Sequence, residues 1–301
     1  MPFSDKQVFL DRWRAHHAPF VERAAVEFEE DQRRAAKYLA AGDFQRGVGA
    51  ALDCVASGGR VLGYQVAATG APPDLTLASK ILTYGGWGWS ALHAHFENEG
   101  MPRYGPTGHE DALVWLYCLA RTCGRDSLAD WLATYIYNCF VTGTIDGAPG
   151  DVTFNNFTWM LFRAIDKKAW PTVDEVPPDV GLYRGLLVAD DPAAFDAAAT
   201  AICTWVASAR LDGIPGPDGE PSIYEYDPWG LFPLDILATA VERQRITNDG
   251  HWVPTGHPLL EPPFTSLLPI RTELRDDLTA QMAKAAALRF GHQWQPWPTL
   301  A

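Results

Sequence analysis

The sequence predicts an all-α fold, and three observations lead to this prediction. Apolar residues recur at intervals of three and four along most of the 301-residue chain, which is the period of an amphipathic helix. The alternation of apolar and polar residues that marks a half-buried strand is almost absent. Short turns containing Gly, Pro or Asp divide the periodic segments into about ten helices. We therefore expect stacked antiparallel helical hairpins in one domain over residues 1–301, with 1–100 and 101–301 as its natural subdivisions.

The first helical pattern is expected to begin at a cap and to be interrupted once. Ser4 can cap a helix that starts at Asp5. Pro19 interrupts the pattern, because proline cannot donate the backbone hydrogen bond of a helix interior. The pattern then resumes and stops at Gly42, a suitable left-handed C-terminal cap.

Glycines dominate the predictions for the next two helical patterns. Asp43 opens an apolar helix that Gly58-Gly59 is expected to end, and a shorter helix follows over Val61–Ala68. The long run Leu75–Glu99 contains the segment Tyr84–Trp89 with three glycines, each of which weakens a helix by about 1 kcal/mol relative to Ala. We expect either close helix packing there or a break.

A helical hairpin is predicted near the middle of the chain. Thr107 and Glu110 have capping-box spacing ahead of an apolar run. Gly124 ends that helix, and Asp126 starts a second helix that continues to Gly143. The very short turn makes the two helices antiparallel neighbours.

Further helices are predicted in the second half of the chain. One spans Val152–Ile165, and Asp191 with Pro192 forms the entry to another. The stretch Asp227–Glu242 contains an apolar helix over Leu231–Val241, on which we expect the neighbouring hairpins to pack. A last helix is expected over roughly Leu268–Phe290.

The net charge restricts the classes of partner. The chain carries a formal charge of −13 at pH 7 and a pI near 5.0. Such a charge disfavours nucleic acid and anionic membranes and favours a basic protein. At least some of the 12 tryptophans are expected to be half exposed in grooves or interfaces.

The cysteines and the N-terminus predict a cytoplasmic protein without a cofactor. The five cysteines are odd in number and form no C-x-x-C pair, which is typical of reduced, buried thiols. No signal peptide is recognisable, and no window has the roughly 18 apolar residues that a membrane span needs. A chain of this length can form a large core without a metal or a disulfide.

Two groups of residues resemble metal sites but have the wrong spacing. His93 and His95, with Glu97 and Glu99, are two residues apart, so they point to different helix faces, whereas a helical metal pair needs a spacing of three or four. The segment His109-Glu110-Asp111 lacks the second histidine of H-E-x-x-H. We therefore predict no metal site.

Two acidic segments could belong to an enzyme. Asp190, Asp191 and Asp196 resemble the aspartate-rich motif of class I terpene synthases, but the third acid is displaced by one residue, and helix capping explains the first two. Glu225 and Asp227, close to aromatic residues, could line a sugar-binding cleft. The simpler interpretation of the second segment is an acidic loop whose aromatic side chains pack on the domain.

Charge distribution gives the strongest functional indication. Ten acids and one base lie between Gly185 and Glu242. In the loop that follows Asp212, acids alternate with aromatic side chains, a mixture suited to a cationic protein partner. The predicted partner-binding residues are Asp212, Asp218, Glu220, Tyr224, Glu225, Tyr226, Asp227 and Trp229.

With these features, the chain resembles the helical immunity proteins of bacterial polymorphic-toxin and contact-dependent competition systems. The resemblance covers Thr107–Phe264. It includes the aromatic-rich hairpin Leu113–Phe140, the helix that contains Trp229, Pro233 and Leu234, and the loop His257–Leu260. It implies a cytoplasmic, non-catalytic protein that neutralises one cognate toxin, and the charge predicts that this toxin has a basic surface.

Two other functions remain open at this point. An α/α-toroid enzyme could act on a carbohydrate or isoprenoid through Glu225 and Asp227, or through Asp190 and Asp191. A scaffold that binds several partners would need a continuous concave helical groove. A cleft with two carboxylates within one substrate's reach would favour the enzyme.

Overall fold

Helices make up almost all the regular structure of the protein. The computed structural model describes residues 6–98, 110–142, 152–213, 230–249, 252–266, 269–270 and 273–291. None of the residues in these ranges lies in a β-strand, and neighbouring helices pack in an antiparallel manner, so the predicted all-α class is confirmed. The α-helices are α1 (Lys6–His17), α2 (Val21–Ala40), α3 (Phe44–Thr69), α4 (Leu75–Asn98), α5 (Glu110–Thr122), α6 (Asp126–Val141), α7 (Val152–Lys167), α8 (Arg184–Val188), α9 (Pro192–Asp212), α10 (Leu234–Thr247) and α11 (Asp277–Phe290).

Helix α3 continues through the two glycines that were expected to end it. The prediction of separate helices on either side of Gly58-Gly59 is therefore wrong. A Cβ atom at Gly58 would lie 2.8 Å from Ile81 Cγ1 of α4, so this glycine allows α3 to approach α4 closely. Burial of the surrounding apolar side chains offsets the weak helix propensity of glycine.

Helix α4 is also continuous. Of the two outcomes predicted for its glycines, close helix packing is confirmed and a break is not. A Cβ atom at Gly85 would overlap the side chain of Leu116 in α5, and one at Gly88 would overlap Leu52 in α3. The tryptophans between and after these glycines belong to the core: Trp87 is 6% exposed and Trp89 is fully buried. These two tryptophans are core residues, whereas Trp131 and Trp159 are partly exposed, as expected for some of the tryptophans.

The predicted hairpin of α5 and α6 is confirmed. Gly124, with a φ of +72°, lies in the turn between the two helices, where the left-handed region favours glycine. Thr107, at the start of the predicted capping box, lies outside the described residues, and α5 begins at Glu110.

Local signals predicted the start of α9 correctly but not the start of α11. The Asp191 carboxylate accepts the Ala194 N–H at 2.8 Å, which confirms the predicted cap of α9. The predicted start of the last helix is wrong. The Ile270 N–H donates to the Cys123 carbonyl at 2.9 Å, so the chain runs beside the α5–α6 turn, and Asp276 caps a helix that begins later.

Helix α10 packs against α5 and carries charged groups into the core. Asp235, Glu242 and Arg243 are 3%, 1% and 7% exposed. Asp235 and Glu242 are two of the ten acids counted between Gly185 and Glu242, and they lie in the core rather than on the surface. The buried Tyr183 hydroxyl donates to the Asp235 carboxylate, which compensates for its burial.

Arg243 connects α10 to two other segments. Its guanidinium donates to the backbone carbonyls of Leu186 and Ala189, around α8. It also lies 3.9 Å from the ring centroid of Trp252 and 5.3 Å from that of Trp170. The cation therefore lies close to two indole rings, and such contacts stabilise a desolvated guanidinium.

Helix α1 packs on the segment that follows Trp252. Lys6 pairs with Glu261, and the Phe9 and His257 rings meet edge to face at 5.3 Å. His257 Nδ1 accepts the Leu259 N–H at 3.1 Å. Burial lowers the pKa of His257 from 6.5 to about 4, so its imidazole is neutral at pH 7.

One apolar cluster extends from Phe9 in α1 to Met282 in α11, and it includes residues from both predicted subdivisions. Among the described residues, no helix is both long and apolar enough to cross a membrane.

A matched pair of substitutions tests the close-packing role of glycine. Gly85→Ala should destabilise the protein by about 1–3 kcal/mol, because its methyl group overlaps the buried Leu116. Gly49→Ala, in α3 with open space around the added methyl group, should stabilise it by about 0.5–1 kcal/mol. Urea unfolding measures both changes, and equal effects would contradict the packing explanation.

A second substitution tests the pH dependence that His257 introduces. Unfolding raises its pKa from about 4 to 6.5, so the unfolded state binds more protons between these pH values. Stability should therefore fall by about 2–3 kcal/mol as the pH decreases through this window. His257→Asn keeps a capping acceptor but cannot become charged. Urea unfolding across this pH range should give a flatter profile for the variant, and an unchanged profile would refute the assignment.

Candidate functional site

A fully buried guanidinium organises the charged groups between α5, α6 and α10. Arg121, near the end of α5, is 0% exposed at its side chain. Its Nη1 donates to Asp126 at 2.7 Å, and its Nη2 donates to Asp130. Its Nε lies in ion-pair contact with Glu242, although the N–H is not directed along a hydrogen bond. Carboxylates from two helices therefore surround one cation.

Glu242 receives hydrogen bonds from two other side chains, Tyr117 and Arg245. Its Oε1 accepts the Tyr117 hydroxyl at 2.8 Å, and Arg245 Nη1 donates to Oε2 at 3.0 Å. Burial, followed by the charge of Glu242, raises the pKa of Tyr117, so its hydroxyl remains a donor. Burial acts to lower the pKa of Arg121, but its anionic neighbours outweigh this effect and raise it. Arg121 therefore stays cationic.

Asp130, Glu242 and Arg245 of this network line a cleft of about 500 Å³ between α6, the end of α7 and α10, which we call the charged cleft. Asp130 and Arg245 lie at its edge with side chains 52% and 42% exposed, and Arg245 Nη1 reaches Asp130 at 3.3 Å. The cleft is lined by Asp130, Ala133, Thr134, Ile165, Asp166, Lys168, Glu242, Arg245 and Ile246.

A smaller cleft of about 190 Å³ lies on the other side of α6, and we call it the aromatic cleft. Trp131 and Tyr135, one helical turn apart, have centroids 5.4 Å apart and planes inclined by 13°. His93 of α4 stands across both rings, at 65° to Trp131 and 76° to Tyr135. The cleft is lined by His93, Trp131, Thr134, Tyr135, Asn138, Cys139 and Thr142.

The surface of α6 joins the two clefts, because Thr134 lines both. We define the α6 face as Asp126, Asp130, Trp131, Thr134, Tyr135 and Asn138. Its two acids, Asp126 and Asp130, are four residues apart, and so are its two aromatic residues, Trp131 and Tyr135. Each pair therefore lies on one side of the helix. Two partly exposed carboxylates thus lie beside two partly buried rings.

The structure describes one residue of the site that was predicted from the sequence. Asp212, the last residue of α9, is 41% exposed and pairs with Arg12 of α1. This ion pair links α1 to α9, so Asp212 has a structural partner within the chain. The other predicted residues, from Asp218 to Trp229, lie outside the described residues, and their role remains a prediction.

The suspected metal ligands lie in separate environments. His93 contributes to the aromatic cleft, whereas His95 is buried and meets the Phe44 ring edge to face at 6.1 Å. Where residues are described, no group of three or more His, Cys, Asp or Glu could hold a metal ion. Asp196 accepts the backbone N–H groups of Thr255 and Gly256 at 2.6 and 2.9 Å, which gives it a structural role beside the Asp191 cap.

All five cysteines are buried and unpaired, as the sequence predicted. Burial raises the pKa of Cys123 to about 12, and it raises the pKa values of Cys54, Cys118 and Cys203 as well. Since the thiolate is the reactive form, these four side chains are structural thiols rather than nucleophiles.

Sequence reasoning missed the charged network and the aromatic cleft. The available signal was the paired spacing in α6, with Asp126 and Asp130 beside Trp131 and Tyr135. Nothing in the sequence connected Arg121 to Glu242, which are far apart in the chain.

No family model, curated protein or solved structure matches this chain. The resemblance to immunity proteins therefore stays a prediction. The α6 face and the charge of the molecule are the features that bear on its function.

The buried ion pair can be tested by removing its negative partner. Glu242→Gln should destabilise the protein by about 3 kcal/mol or more, because Arg121 and Tyr117 lose a fully buried charged acceptor. Asp126→Asn removes a carboxylate that is 65% exposed and should cost less than about 1 kcal/mol. Urea unfolding at pH 7 measures both values, and a Glu242→Gln cost as small as that of Asp126→Asn would contradict the buried pair.

Proposed function

We propose that this protein is an immunity protein that binds a cognate toxin with a basic surface and neutralises it in the cytoplasm without catalysis. The single observation that carries the proposal is the α6 face, where exposed carboxylates lie beside aromatic rings. Aromatic side chains supply most of the binding energy in many interfaces, and surrounding charges steer the partner. The net charge of −13 favours the same kind of partner.

The buried network supports this proposal through its rigidity. Asp126 and Asp130 accept hydrogen bonds from Arg121, whose side chain is fully buried. Their positions are therefore fixed before any partner arrives, and preorganised groups lose less conformational entropy on binding. The acidic aromatic loop around residues 212–229 remains part of the proposed interface by its composition.

The charged cleft is relevant to the enzyme alternative because it contains two carboxylates, Asp130 and Glu242. Both contact the Arg121 guanidinium. A general acid or base must exchange a proton with the substrate. Both oxygens of Glu242 already accept hydrogen bonds from Tyr117 and Arg245. This arrangement favours binding over acid–base catalysis.

The proposal predicts that a toxin domain is encoded beside this protein's gene, and that domain is used to test it. Coexpression should restore growth of cells that produce the toxin domain, and the purified proteins should form a 1:1 complex by light scattering. A toxin whose activity and mobility are unaffected by the protein would refute the proposal.

Matched charge reversals should locate the interface. Asp126→Lys with Asp166→Lys changes two acids at the α6 face and the charged cleft. Glu29→Lys with Glu30→Lys changes two exposed acids on α2, which packs on α3 and α11 rather than α6. Both variants change the net charge equally, so once circular dichroism shows that both are folded, a difference between them reflects the position of the charges. The first should reduce the association rate by about tenfold at low salt and the second by less than about threefold.

Stopped-flow association at several salt concentrations measures these rates. Equal reductions in the two variants would show that the α6 face is not the interface. A reversal of Asp218, Glu220, Glu225 and Asp227 together tests the predicted loop independently, and an unchanged association rate at low salt would remove the loop from the interface.

A further inference from the structure

The size of the aromatic cleft limits what it can hold. Its volume is about 190 Å³, whereas sites for drug-sized ligands occupy about 300–1,000 Å³. The cleft therefore suits one side-chain head group or one small ion rather than a nucleotide or a sugar chain.

The ring geometry favours a cation. Trp131 and Tyr135 lie nearly parallel, with His93 steeply inclined to both, so the rings line two sides of the cleft. Aromatic faces carry partial negative charge and attract a cation that lies within about 6 Å of the ring centroid. A planar guanidinium can in addition stack on an indole, which a compact ammonium cannot.

The polar atoms of the cleft have the matching hydrogen-bond character. The Thr134 hydroxyl donates to the Asp130 carbonyl at 3.0 Å, and the Thr142 hydroxyl donates to the Asn138 carbonyl at 2.8 Å. A hydroxyl oxygen whose proton is donated can in addition accept an N–H group. Neither Lys nor Arg is among the described residues that line the cleft. The described lining therefore supplies no lysine or arginine that could pair with an anion.

We propose that the aromatic cleft is a receptor for a guanidinium group, and that an arginine side chain of the toxin occupies it in the complex. The first part concerns the isolated protein. The second part rests on the proposed immunity function.

The first part is tested with N-acetyl-arginine amide as the probe and N-acetyl-citrulline amide as its neutral isostere. The indole Nε1–H resonance of Trp131, assigned by its loss in Trp131→Phe, reports binding in an NMR titration. The arginine compound should give a saturable shift, and the citrulline compound should bind at least about tenfold more weakly. Equal affinities would overturn the proposal, because they would remove the role of charge.

Variants of the cleft give a second measure. Trp131→Leu should weaken binding of the arginine compound at least about fivefold, and Asn138→Asp should tighten it about threefold by adding a carboxylate. Trp159→Leu is the matched control, since Trp159 stacks on Tyr137 at 5.6 Å and 13° but does not line the cleft. Unchanged affinities in both cleft variants would overturn the proposal. If circular dichroism shows that Trp131→Leu is unfolded, Asn138→Asp decides.

The toxin complex separates the two parts. If the cleft binds the arginine compound, Trp131→Leu should also weaken the toxin complex about fivefold or more. Trp159→Leu should not weaken it. A toxin complex that is insensitive to Trp131→Leu would overturn the second part while leaving the immunity function intact. If the protein binds the arginine compound but neutralises no toxin, the proposed immunity function is wrong and the guanidinium site still stands.

Discussion

The burial of the Arg121 guanidinium is the constraint on which the arrangement of α5, α6 and α10 depends. A cation without access to solvent costs several kcal/mol unless anions and hydrogen-bond acceptors surround it. Asp126 and Asp130 are supplied by the next helix, and Glu242 by a helix that follows much later in the chain. Any displacement of α10 along α5 would separate Glu242 from Arg121. The ion network therefore fixes the register of helices whose apolar surfaces could otherwise slide.

Helix content and most helix boundaries could be predicted because they depend on local chemistry. Asp191 caps its own helix, and Gly124 adopts the conformation that its turn requires. The errors occurred where a distant residue decided the outcome. Gly58 continues a helix because Ile81 of another helix packs against it. The segment at Ile270 is not helical because its N–H bonds to Cys123. No local pattern contains that information.

The candidate site was less predictable than the fold, for a similar reason. Glu242 is part of a charged sequence, and in isolation such a run indicates a solvated helix end. Its burial depends on Arg121 and Tyr117, which lie in another helix. The aromatic cleft likewise needs His93 from α4 to meet Trp131 of α6. The spacing within α6 was visible in the sequence, but the partners on the other helices were not.

Helix α6 has buried residues that pack in the core and exposed residues that line the clefts, and this separation affects how binding specificity could change. Leu132 and Ile136 are fully buried, whereas Thr134 is exposed and Asn138 is partly exposed. Substitutions at the second pair would alter the shape and charge of both clefts while the packing of the helix stays the same. Single substitutions could thus change the binding specificity with little loss of stability. In such a helix, the surface can change while the core stays the same.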